Sequence, residues 1–362
     1  MKRIILAVCV VLLCSGNVWA ERAKVDDIAR DPYISALVVD AASGEVLFED
    51  HAETVVYPAS VLKIMDMLVI LDQLEQGKVQ LDQMVQVTKE AAQMGGSQVY
   101  LDPSEQFSVE DLLYALAVQS ANDAAVALAI HVAGSTEGFV ALMNKKAEEL
   151  GMKDSKFYSV HGLPPAKGQQ PDQTTARDLA LLGRELAKRP AIFEYTNTRE
   201  RPFRDGKFIM RNHNHLLGMV NGCDGFKTGY FQAAGFSIVA TAARDGVRLI
   251  AIVMGSKDRK IRDAKTAELL AKGFALVPPK PVAAAVVEKP EVSPEKMAAP
   301  TSAAPETAPP VEVKQETAGS SGGGGWGMFF GGMLVGIALS GAVALFLSRQ
   351  NAKKRANSRG YL

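Results

Sequence analysis

Two stretches near the chain's start and two near residue 250 carry the hydrophobic pattern of paired strands. Residues 35–40 and 45–48 are apolar runs joined across Ala41-Ala42-Ser43-Gly44, a turn-forming tetrapeptide that predicts a hairpin. Residues 236–243 and 247–254, joined at Asp245-Gly246, predict a second hairpin, with residues 225–231 as a neighbouring strand. Between them the period changes. Residues 62–74 are apolar on nearly every face, which marks a buried central helix. Ser108 with Asp111 reads as a capping box that opens a helix running to Val118. Asn122 or Asp123 is placed to cap the next helix, which runs to Val132. Strands at both ends with helices between predict an α+β fold, one antiparallel sheet covered by helices with a helical lobe.

The ends of the 362-residue chain are of a different character. Residues 1–20 combine Lys2 and Arg3, a short apolar run and Ala20 at a cleavage point, the pattern of a secretory signal peptide. A lipoprotein signal ending at Cys14 is disfavoured by the bulky Leu13 before it. Cleavage after Ala20 removes Cys9 and Cys14 and leaves Cys223, so no internal disulfide supports the expected domain at 24–277. Residues 278–325 turn to Pro, Ala, Glu and Lys and close in glycines, a composition too polar to order itself. Such a tether spans about 40 Å root-mean-square. Residues 327–347 are uncharged and mostly apolar, and as a helix they reach roughly 30 Å, the thickness of a hydrocarbon core. The tail at 348–362 is basic, which by the positive-inside rule makes it cytoplasmic and puts the 24–277 domain on the outer side of the membrane. Within the span, Gly332-x-x-x-Gly336 offers a close-packing face, more often simply tolerated than used. A formal net charge of zero gives no basic field for nucleic acid.

Three short motifs fall in order: Ser60-Val61-Leu62-Lys63, Ser120-Ala121-Asn122 and Lys227-Thr228-Gly229. Spacing alone means little, because Ser293-x-x-Lys296, Ser15-Gly16-Asn17 and Lys265-Thr266-Ala267 nearly repeat the three in unsuitable places. Context separates them. Ser60 opens the buried helix, where free N–H groups and the helix dipole favour developing negative charge. Lys63 lies one turn on, within reach of the hydroxyl, and an apolar setting lowers its pKa towards that of a usable base. A second cation lowers it further, and Lys227 is the candidate. The bland alternative makes Ser60 a helix cap and sends Lys63 to solvent. Ser120 and Asn122 sit between two helices, either as an ordinary turn or projecting into a cleft. Gly229, without a side chain, would let a substrate approach the strand backbone and pair as an extra strand.

The trio is similar to the motif set of penicillin-binding proteins and class A β-lactamases. Across residues 30–276 the chain most resembles the low-molecular-mass D-alanyl-D-alanine carboxypeptidases of serine peptidase family S11. That resemblance includes Tyr57-Pro58-Ala59-Ser60, His161-Gly162-Leu163, Thr175-Ala176-Arg177-Asp178-Leu179-Ala180 and Asp224-Gly225-Phe226-Lys227-Thr228-Gly229-Tyr230. It implies a penicillin-binding protein or β-lactamase-like fold and a peptidoglycan stem peptide ending in D-Ala-D-Ala as substrate, with β-lactams as inhibitors and no cofactor. It also implies roles. Ser60 forms the acyl-enzyme, Lys63 takes its proton and Ser120 relays a proton to the leaving D-alanine. Asn122 holds the peptide amide, Lys227 and Thr228 bind the terminal carboxylate, and the N–H groups of Ser60 and Tyr230 form an oxyanion hole. Arg262 assists with the carboxylate, with Arg259 as its rival. Departures are Ala121 where relatives carry glycine, Phe231 where a hydroxyl residue is common, and a tether in place of a β-rich stalk.

Other readings stay open at this point. The same fold hosts DD-endopeptidases acting on cross-links, β-lactamases, and proteins that bind the wall without catalysis. No Glu-x-x-Leu-Asn segment of the class A lactamases is present. His213 and His215, placed on one face of a strand, suggest a zinc pair, but no third ligand at a typical spacing accompanies them. His161 reads as a hydrogen-bonded structural residue and Cys223 as a small core residue.

Overall fold

The computed structural model describes residues 22, 23 and 25–279. The expected signal (1–20), span (327–347) and tail (348–362) lie outside the described residues, as does the tether apart from residues 278 and 279. Among the described residues no single helix is long and apolar enough to cross a membrane.

Strands β1 (Ser35–Asp40) and β2 (Val46–Asp50) form the first hairpin, followed by helix α1 (Lys63–Glu75). A short ribbon of β3 (Met84–Gln86) and β4 (Gln106–Ser108) encloses α2 (Lys89–Ala92) in sequence. Helices α3 (Val109–Tyr114), α4 (Asn122–Ala133), α5 (Thr136–Leu150), α6 (Ala176–Ala187) and α7 (Ile192–Thr196) complete the helical lobe. A second ribbon, β5 (Glu200–Phe203) and β6 (Phe208–Arg211), leads to β7 (Cys223–Phe231), β8 (Gly235–Arg244), β9 (Val247–Ser256) and α8 (Arg259–Leu276).

The sheet is five-stranded in the order β2-β1-β9-β8-β7, and every pair is antiparallel. The first and last of the described strands therefore lie next to each other in the sheet, where Leu37 pairs with Ile252. Alternation sorts the side chains. Ala36, Val38, Leu249, Ala251 and Val253 join Leu269 and Leu270 of α8 in one core, whereas Leu37, Val39, Ile250, Ile252 and Met254 face the helical lobe. Because both faces are covered, these strands read as unbroken apolar runs rather than as alternating ones.

Helix α1 is buried from Lys63 to Asp72, which is why it lacks a polar face. It starts one residue later than its pattern predicts, because a tight turn, Ala59–Leu62, precedes it. Ser108 caps α3 as expected, accepting from Asp111 N at 3.0 Å. Helix α3 then widens into a π-helical turn, Ala115–Gln119, instead of running on to Val118 as a regular helix. The expected cap of α4 is absent. Ala121 stands at its N-terminus without a side-chain bond, and Asn122 and Asp123 are turned to other partners.

Replacing Leu68, fully buried in α1, by alanine is expected to cost about 2–5 kcal/mol. Urea unfolding checks this: the midpoint falls while the dependence on urea stays the same.

Candidate active site

Ser60 lies in the Ala59–Leu62 turn, not at a helix cap: the turn begins at Pro58, with no side-chain bond closing it. Ala59 adopts a φ of 48°, a left-handed conformation that costs an L-residue roughly 1–2 kcal/mol. Two glycines hold the turn from opposite parts of the chain. A Cβ on Gly162 would lie 2.2 Å from Ala59 O, and a Cβ on Gly229 would lie 2.7 Å from Pro58 O and 2.9 Å from Ser60 N. Gly229 thus lets strand β7, the terminal strand of the sheet, close upon the serine turn. Gly229 also lines the cleft.

Lys63 is fully buried and does not reach solvent. Its Nζ lies 3.0 Å from Ser60 Oγ, 2.8 Å from Asn122 Oδ1 and 2.8 Å from the His161 carbonyl. Burial pushes the ammonium down to about 8, while Asp66, Asp123 and Asp172 pull it back up. As the free amine it can accept the Ser60 proton along the same 3.0 Å contact. The contribution expected from Lys227 runs mainly the other way. Lys227 is itself pushed well down, by burial first and then by the positive charges of Lys63 and Arg262. Carboxylates offset burial at Lys63, whereas at Lys227 every influence acts in one direction. Lys227 Nζ donates to Thr228 O at 3.2 Å, and burial with its cationic neighbours disfavours its charged form.

The π-helical turn ends at Ser120, which is buried with φ 60° and ψ 30°. This twist turns Ser120 into the cleft and starts α4 at Asn122. Both ends of the Asn122 amide are engaged, Oδ1 by Lys63 and Nδ2 by Gly95 O at 2.7 Å. Asp123 accepts from Val99 N at 3.1 Å and Leu101 N at 3.0 Å, and Arg204 donates to the carbonyls of Val99 and Tyr100. The loop carrying Ser97 is thereby fixed along the cleft wall. The motifs do not single out Ser97 or Arg204, and the sequence marks Asp123 only as a helix cap; their roles arise from contacts between distant segments.

The cleft holds about 330 Å³ and is lined by Ser60, Ser97, Ser120, Thr228, Tyr230 and Arg262, among others. Lys63, Asn122 and Lys227 stand behind this lining, and Gly229 contributes to it. Arg259 also faces the cleft, so both candidate arginines do. They differ in charge balance, since Arg262 is buried and paired with Asp263 at 2.5 Å. His213 and His215 line the same cleft but lie beyond β6, in a loop and a short turn, not on a strand as expected for a zinc pair. His213 is pushed down to about 4 by burial and Lys227, which leaves it neutral. Among the described residues no group of three His, Cys, Asp or Glu side chains is placed to hold a metal ion. His161 is lowered to about 3 by burial and by Lys63, and its ring accepts from Leu163 N.

The chain has relatives of known family. The sequence profile of the D-alanyl-D-alanine carboxypeptidase family matches residues 21–258. The chain belongs to that family. It is 38% identical over 244 residues to D-alanyl-D-alanine carboxypeptidase DacF of Bacillus subtilis, covering 67% of this chain and 62% of that one. It is 40% identical over 264 residues to DacC of Escherichia coli, covering 70% of this chain and 65% of that one. The chain thus spans less than two thirds of the length of both relatives. Among solved structures, penicillin-binding protein D2 of Listeria monocytogenes in its ampicillin-bound form is similar at a TM-score of 0.61 and 31% identity. The likeness covers 67% of this chain and 97% of that one. Penicillin-binding protein 6B of Escherichia coli is similar at a TM-score of 0.63 and 30% identity, covering 70% of this chain and 82% of that one. The fold is that of the penicillin-binding protein and β-lactamase class, an antiparallel sheet with helices.

The departures from the family pattern have physical places. Ala121 is buried in the core at the start of α4, and Phe231 stacks on Tyr57 at 5.9 Å, tying the end of β7 to the segment before Ser60.

A methyl group at Gly162 must displace the backbone of Ala59 and sit at a φ of 69°. Gly162→Ala is expected to destabilise by about 1–3 kcal/mol through overpacking, with strain added. An unchanged denaturation midpoint would show that the serine turn is not gripped there.

Proposed function

We propose that the protein is a serine-type D-Ala-D-Ala carboxypeptidase that removes the terminal D-alanine from peptidoglycan stem peptides and is acylated by penicillins. Membership of the carboxypeptidase family supports this, and the observation that carries it is Lys63 Nζ 3.0 Å from Ser60 Oγ at the floor of the cleft. Lys63, as amine, takes the hydroxyl proton while Ser60 Oγ attacks the penultimate carbonyl. The N–H groups of Ser60 and Tyr230 receive the oxyanion. Lys227 and Thr228 hold the terminal carboxylate, with Arg262 adding positive potential. An incoming carboxylate favours the charged form of Lys227, which burial and its cationic neighbours otherwise disfavour. Ser120 relays the proton that Lys63 took from Ser60 to the departing D-alanine nitrogen, and water then cleaves the ester to release the shortened peptide and restore Ser60. Asn122 steers the peptide amide by exchanging its bond to Gly95 O.

The ends of the chain complete the reading. Residues 1–20 direct secretion, 24–277 form the catalytic domain, 278–325 serve as tether, 327–347 span the cytoplasmic membrane and 348–362 remain in the cytoplasm. The catalytic domain then works on the outer face, within reach of the wall.

The test is incubation of the protein with fluorescent penicillin and, in parallel, with a pentapeptide ending in D-Ala-D-Ala. Persistent label with release of D-alanine is the expected result. Rapid loss of label would instead indicate a β-lactamase, cleavage of cross-linked dimers alone an endopeptidase, and no label a silent wall binder. Ser60→Ala should abolish labelling, and EDTA should leave it unchanged.

Acylation needs Lys63 without its proton, and its ammonium gives up that proton at about 8. The labelling rate should therefore rise with pH, level off above that value, and fall about 100-fold two units below it. A rate that is flat from pH 6 to pH 9 would place the base elsewhere.

A further inference from the structure

Helix α1 carries a second ionisable side chain that the reaction above does not use. Asp66 lies three residues after Lys63, on the same helical face, and is 2% exposed. Among the described residues neither of its carboxyl oxygens has a hydrogen-bond partner. Its acidic neighbours are different. Asp123 accepts from three backbone N–H groups, and Asp172 from Tyr158 N, Ser159 N and the Ser159 hydroxyl. Those two brace loop backbone; Asp66 makes no side-chain hydrogen bond. A buried carboxyl without partners destabilises a fold, so its location one turn from the proton acceptor needs a reason.

We propose that Asp66 is a positioning residue for Lys63: the two buried groups titrate as a pair, and the charge on Asp66 decides how firmly Lys63 keeps its proton. This rests on the reading of Lys63 as the base that activates Ser60. With Asp66 ionised, the ammonium form of Lys63 is favoured; with Asp66 neutral, the amine is released more readily. Asp66 stands in the first turn of α1, where the helix dipole favours its negative form, against burial, which favours the neutral form. The other charged or titratable groups around this region are Asp123 on α4, His161 and Asp172 on the crossing loops, and Lys227 on β7. Further along α1, Lys146 of α5 is paired with Asp72, while Asp178 of α6 accepts from Ser155 and Asp154. Of the carboxylates acting on Lys63, Asp66 is the one whose charge is free of hydrogen bonds that would fix it.

The sign of each effect follows. Asp66→Asn and Asp66→Thr cannot ionise, so Lys63 loses a stabilising negative charge and releases its proton at lower pH. The rising limb of penicillin labelling should shift to lower pH by about one unit in both variants, with the plateau retained. Stability gives an independent arm. Burial raises the Asp66 pKa in the folded protein, so its contribution is fully present below about pH 4 and is lost as pH rises towards the folded value. The gain in Tm over the unaltered protein should therefore be smallest near pH 4 and grow towards pH 8. If both variants label with the unaltered pH profile while Tm changes, Asp66 is structural only and the proposal fails. If one variant does not fold, the other decides. Absence of labelling of the unaltered protein at every pH would overturn the reading of Lys63 as well, leaving no base for Asp66 to position.

Discussion

The amine of Lys63, sealed from water and pressed against the hydroxyl of Ser60, is the contact on which the rest of the structure depends. An ammonium without solvent loses hydration worth several kcal/mol, and three nearby oxygen acceptors together with the surrounding carboxylates return part of it. The balance leaves the group close to neutral pH, where either proton state is accessible. Full exposure would fix Lys63 as a cation; burial without acceptors would destabilise the lobe. The site works in the narrow range between those limits.

That balance requires segments far apart in sequence to meet within a few ångströms. Ser60 comes from the turn after the first hairpin, Asn122 from the start of α4, the His161 carbonyl from a loop before α6, and Gly229 from the terminal strand. The meeting is steric as much as polar. Gly162 and Gly229 lack the atoms that would hold the serine turn away, and Ala59 and Ser120 accept left-handed backbone so that their neighbours point inward. Such local strain costs of order 1–3 kcal/mol per residue and persists because the two cores on either side of the sheet fix the surrounding elements.

Much of this was legible in the order of residues, and the particular misses share a cause. The hairpins at 35–50 and 235–256, the strand before them and the buried α1 follow from apolar runs and turn residues. The helices α5, α6 and α7 and the two small ribbons are shorter or more amphipathic, and one sequence does not separate them from a generally helical middle. The expected caps at Asn122 and Asp123 failed because both side chains found better partners in Lys63 and in the loop at 99–101, contacts with no trace in local spacing. His213 and His215 resemble a strand pair in sequence, yet the backbone leaves the ribbon at Arg211 before reaching them. Gly229 is also where β7 accommodates the serine turn, a contact with no trace in local spacing.

By itself, the sequence determined which residues are able to do chemistry, the strands and central helix that carry them, and the family to which the chain belongs. Side-chain type, local period and motif order are properties of neighbouring residues and survive in one dimension. Tertiary structure alone decided the proton balance of Lys63, the penalty on charging Lys227, the lack of hydrogen bonds at Asp66 and the reason for the two glycines. Each of these depends on how much water is excluded and on which atoms arrive from distant segments, and both are set only when the sheet and the helical lobe close on one another.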